Sequence, residues 1–140
     1  MAKKRPARRL TWMPDRRIKP LVPDSVRTDV QAKAEALIAE QLQARYIKRP
    51  PKTPRWNYPI SLWTKWHKSF FYFGSTWASP EPNRISPTFE LGFARMEYRD
   101  DGRFNLAYFR HTGKWWQTHA GLTLEECLEL IGGGNMFTLI

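Results

Sequence analysis

Hydrophobic periodicity divides the chain into zones. Between Asp24 and Tyr46 the residues Val26, Val30, Ala34, Leu37, Ile38, Leu42 and Tyr46 recur at three- and four-residue steps, which predicts a helix with one apolar face. Its other face carries Arg27, Lys33, Glu35 and Glu40, a mixed surface with no stripe of one sign. Asp24 or Ser25 is the expected start, and Thr28 with Gln31 offers a second capping box. From Ile60 the period falls to two. Ile60 to Trp66 and Ser69 to Trp77 predict a hairpin turning at His67 and Lys68, and Thr88 to Tyr98, Phe104 to Arg110 and Lys114 to Thr118 predict three further strands. The run Asp100-Asp101-Gly102-Arg103 predicts a type I′ turn, and Thr112-Gly113 the last turn of a meander.

After Thr123 the helical period returns. Thr123 and Glu126 form a capping box, Leu124, Cys127, Leu128 and Ile131 share one face, and Gly132 to Gly134 ends the helix. The expected fold is α+β: an N-terminal helix, a five-stranded antiparallel meander and a C-terminal helix, with both helices covering one sheet face. Residues 24–140 make one domain. Residues 1–23, with four prolines, read as a basic arm in which no continuous helix can form. Tyr46 to Pro59 holds four more prolines and is a stiff connector.

Charge sharpens this division. Residues 1–55 hold 15 Lys and Arg against five acids, whereas residues 56–140 hold eight of each sign, so the whole surplus of +10 lies in the first two-fifths. Aromatic residues are distributed in the opposite way: 17 of 20 fall between Trp56 and Trp116. A basic arm beside an aromatic sheet suggests a polyanion with unpaired bases, RNA in preference to DNA. Lys3, Lys4, Arg5, Arg8, Arg9, Arg16, Arg17 and Lys19 would meet phosphates, and Trp12, Trp63 and Trp66 would stack. Trp116 is a further ring for such a platform.

Other chemistries are poorly served. His67, His111, His119 and Cys127 lack metal-ligand spacing, no phosphate-binding loop or nucleophile elbow is present, and no metal or cofactor is expected. No apolar run reaches the roughly 20 residues that span a bilayer, and the N-terminus lacks the apolar stretch of a secretory signal, so a cytoplasmic protein without a membrane partner is expected. One catalytic alternative comes from neighbouring strands. Arg95 and Glu97 on one strand, with Arg110 and His111 across the Asp-Gly turn, are the equipment of a metal-free endoribonuclease of the toxin type. Arg and Glu facing each other on a sheet are more often a cross-strand pair. A third reading is a subunit of a larger protein or ribonucleoprotein assembly, its arm ordered only in the complex.

The stretch from about Tyr58 to Ile131 resembles a family of small bacterial proteins known only as domains of unknown function. The residues that carry the resemblance are Trp66-His67, Phe93-Ala94-Arg95, Glu97-Tyr98, Phe104-Asn105-Leu106, Arg110-His111-Thr112-Gly113, Trp115 and Leu124-Glu125-Glu126-Cys127-Leu128. It implies neither a catalytic residue nor a ligand, and the basic first 20 residues lie outside it.

Overall fold

The computed structural model of the chain describes residues 21–80, 86–134 and 136–139. Helix α1 (Asp24–Leu37) runs through a π-helical turn (Ile38–Leu42) into the short α2 (Gln43–Tyr46). Strands β1 (Tyr58–His67), β2 (Phe70–Ala78), β3 (Thr88–Tyr98), β4 (Phe104–Phe109) and β5 (Trp115–Leu122) follow, then α3 (Leu124–Gly133). The five strands form one antiparallel sheet in the order of the sequence, so the expected α+β meander is present.

Two adjacent rows across the sheet show how side chains divide. Trp66, Phe71, Met96, Leu106 and His119 are successive cross-strand partners, and Phe71, Met96 and Leu106 are fully buried. One residue along, Lys65, Tyr72, Arg95, Ala107 and Gln117 form the next row, pointing to the opposite face as the period of two requires. The helices cover the first face: Val30, Ala34, Leu37 and Leu42 from one end of the chain, and Leu124, Cys127 and Ile131 from the other, join Phe71, Phe73, Phe93 and Met96 in a single core. Gly132 of α3 sits close to the π-helical turn, where a β-carbon would lie 3.1 Å from both Leu37 and Gln41.

Local chemistry accounts for several departures from expectation. Helix α1 begins at Asp24 after Pro23 with no side-chain cap, so Thr28 lies inside the helix and caps nothing. At the β3–β4 turn only Gly102 has a positive φ, 81°, whereas a type I′ turn needs two such residues. Hydrogen bonds from the Gly102 amide to the Arg99 carbonyl (3.1 Å) and from the Arg99 amide to the Arg103 carbonyl (2.8 Å) make it a type I turn closed by a glycine bulge. The β4–β5 turn repeats that pattern, Gly113 (φ 85°) bonding to Arg110 and Arg110 to Lys114. Strand β5 extends four residues past Thr118 because register shifts along the β4–β5 pair let it pass Asn105 and Phe104. The Thr123–Glu126 capping box of α3 is formed in both directions. No helix among the described residues is long and apolar enough to cross a membrane.

Candidate nucleic-acid interface

The sheet face away from the helices is built on glycine. Gly74 and Gly92 are cross-strand neighbours on β2 and β3, and neither can cover the backbone. Trp63, the direct partner of Gly74 on β1, lays its indole over that gap, and Trp115 of β5 reaches over Gly92, where a β-carbon would lie 3.0 Å from the ring. Large rings thus fill the space that missing side chains leave, one standing at each flank of the sheet.

Between the two indoles lies a groove of about 370 Å³ whose walls include Trp63, Tyr72, Phe109 and Trp115, with Lys65 and His67 at its border. The rings hold one another. Trp115 meets Tyr72 and Phe109 edge-on, with centroids 5.7 and 5.2 Å apart, and Phe70 and Tyr72 stand 6.2 Å apart. Arg95 is set between two of them, its guanidinium carbon 4.6 Å from the Phe70 centroid and 5.0 Å from that of Trp115. Cations at such distances are attracted by the ring quadrupole, which fixes a positive charge in the middle of the aromatic surface. Among the described residues Glu90 is the one acid lining the groove. The Trp63 indole nitrogen is buried without a hydrogen-bond partner among the described residues.

The sequence-derived stacking residues separate by parity. Trp63 belongs to the groove, but Trp66, three positions on, faces the helices: it packs on Phe71 at 5.0 Å, its indole nitrogen donates to the Arg27 carbonyl (3.3 Å), and the Arg27 guanidinium lies 5.0 Å from its ring. Trp116 is paired with Tyr108 and also lies on the helix side, half exposed. Lys3, Lys4, Arg5, Arg8, Arg9, Trp12, Arg16, Arg17 and Lys19 lie outside the described residues. Tyr72, Phe109 and Trp115 are not among the stacking residues read from the sequence, although the alternation of Tyr72 with buried Phe71 and Phe73, and of Phe109 with half-buried Tyr108, carries the signal.

The four residues of the ribonuclease alternative are divided between the two faces. Arg95 and Glu97 share the open face, paired with Ala107 and Asn105. Glu97 accepts a hydrogen bond from the Asn105 side chain at 3.3 Å, and Asn105 also contacts Arg99 and the Gly121 amide. Arg110 has the parity of Tyr108 and lies over the Trp116 ring at 4.7 Å on the opposite face, and His111 is exposed in the adjoining turn. Three residue steps of extended chain lead from Ala107 to Arg110, about 10 Å. Glu97 and the Arg110–His111 pair therefore do not converge on one reacting centre. No group of three metal-ligating side chains occurs among the described residues.

Cys127 is buried and its thiol is pushed up to about 12, chiefly by burial and secondarily by Glu126, so it behaves as a small apolar side chain and not as a nucleophile.

A family model described as a domain of unknown function, DUF3024, matches residues 4–137. The match starts well before Tyr58, so the basic residues from Lys4 onward fall inside the family unit. No curated protein and no solved structure shows a significant match. The chain belongs to the DUF3024 family.

Proposed function

We propose that this DUF3024 protein binds single-stranded nucleic acid, RNA in preference to DNA, along the helix-free face of its sheet, without chemistry of its own. The observation that carries the reading is the aromatic groove between Trp63 and Trp115, with the Arg95 cation held against the Trp115 ring of its wall. Bases of any sequence have a face that stacks on such rings, and each stack contributes roughly 1–3 kcal/mol. A sheet whose aromatics meet splayed-out bases is a recurrent solution for single-stranded RNA. Phosphates would be met by Lys65 and by the basic N-terminal residues. On this reading the protein works in the bacterial cytoplasm, where its one cysteine stays reduced.

The test is binding of fluorescently labelled single-stranded RNA, single-stranded DNA and duplex DNA by the full chain and by a chain starting at Asp24, at several salt concentrations, with the RNA run on a gel afterwards. If about seven cations each neutralise a phosphate, the log–log salt slope on single strands is near −5. A slope flatter than about −2 would remove the arm from the interface. Shortened RNA would establish the ribonuclease in place of a binding module. Absence of binding by either chain would overturn the proposal.

A further inference from the structure

On the helix side, beyond the end of the core, a second pocket of about 540 Å³ opens between the β4–β5 turn and the C-terminal residues. Tyr108, Arg110, His111, Met136 and Leu139 are among its walls, and no acidic side chain lines it among the described residues. Arg110 is held there by two independent devices. Its backbone is fixed by the glycine-bulge turn, through bonds with Lys114 and Gly113 of 2.9 Å each, and its guanidinium lies over the Trp116 ring.

The Arg110 side chain is incompletely satisfied. Among the described residues its buried Nε has no hydrogen-bond partner and no carboxylate forms a salt bridge with it. A buried donor on a permanently charged group lacks the acceptor that such groups almost always find. The indole at 4.7 Å offers a π-face but no oxygen. With His111 beside it and Lys114 closing the turn, every charged or titratable side chain at the β4–β5 turn is one that can carry positive charge.

We propose that this pocket binds a phosphate group, with Arg110 as the principal ligand, oriented by Trp116, and with His111 as a second donor. A guanidinium presents its Nε–H and a terminal N–H as a fork that matches two phosphate oxygens, which would provide the missing acceptor. The pocket borders the sheet-face groove, sharing Leu91, Gly92 and Phe109 with its lining, but neither Arg110 nor His111 lines that groove. A free phosphate and the terminal phosphate of a nucleic-acid strand share this chemistry.

The experiment follows the Arg110 Nε–H and Trp116 indole N–H resonances of ¹⁵N-labelled full-length protein during titration with inorganic phosphate, chloride being adjusted to hold ionic strength constant. The expected result is a saturable shift of both signals with phosphate and none with chloride alone. Arg110→Lys, which keeps the charge but loses the fork, is expected to weaken phosphate binding about tenfold as read at Trp116. A parallel titration compares a short 5′-phosphorylated oligonucleotide with its 5′-hydroxyl counterpart. Tenfold tighter binding of the phosphorylated strand than of inorganic phosphate, at these two resonances, identifies a strand end as the source, and equal affinity identifies free phosphate. Shifts that do not saturate, or that appear elsewhere and leave Arg110 and Trp116 unmoved, overturn the proposal.

Discussion

The Trp63 indole occupies the space that a β-carbon on Gly74 would need, and the two residues are direct partners across the β1–β2 ladder. Gly74→Ala therefore displaces either the ring or the strand beneath it. The expected loss is about 1–3 kcal/mol in urea unfolding, the range of overpacked sites. A change below about 0.5 kcal/mol, the range of ordinary surface substitutions, would show that the indole is not seated on this glycine.

Stacking and charge should separate in the binding data. Tyr72→Ala removes one ring from the groove wall and should weaken single-stranded RNA binding about tenfold, with the salt slope unchanged. Lys65→Ala should do the reverse, making the slope shallower by about one-half to one unit while leaving the affinity extrapolated to high salt nearly constant. Identical effects of the two substitutions would mean that the groove is not a stacking surface.

Helix α3 depends on its cap. The Thr123 amide donates to the Glu126 carboxylate at 2.8 Å and the Glu126 amide to the Thr123 hydroxyl at 3.2 Å. Thr123→Ala should cost about 1 kcal/mol. The Thr123 amide bond, then the Thr123 side chain, holds the Glu126 carboxyl below its ordinary value of 4.5. A group depressed in the folded state stabilises it above the unfolded value and loses that contribution as pH falls through the depressed one. Thermal unfolding midpoints should fall as pH is lowered from about 5 towards 3, and Glu126→Gln should make that decline shallower. An unchanged decline would assign it to other carboxylates.

Cys127 should not react with a disulfide reagent at pH 8 while the chain is folded, and should react fully in denaturant. Its thiol is pushed up to about 12 and lies in the core between the helices and the sheet. Rapid modification of the native protein would show that α3 opens readily.

Period and punctuation made the fold legible. Thr123 and Glu126 marked α3, the glycines at 102 and 113 marked the turns, and alternation marked the strands. The turn type was less accessible, because Asp-Gly suits both a type I′ turn and a type I turn with a glycine bulge, and choosing between them needs the backbone of Asp101. The π-helical turn left no trace in the spacing of apolar residues, since Leu37, Ile38 and Leu42 suit either winding. At the interface the tryptophans were grouped by kind although Trp63 and Trp66 differ by three positions, which in a strand places them on opposite faces. Glycine was the missed clue: Gly74 and Gly92 on adjacent strands leave a hollow that only neighbouring large rings can fill.

Because each strand pairs with the one before it, every hairpin of the sheet can close as soon as its second half leaves the ribosome. The core is different, since it joins Val30 and Leu37 to Cys127 and Ile131, about a hundred residues later. Helix α1 is synthesised first but must wait for α3 before its apolar stripe is fully covered. During translation that stripe is the surface a chaperone would meet, and substitutions at Gly132, which sits against Leu37 and Gln41, should delay maturation more than they disturb the sheet.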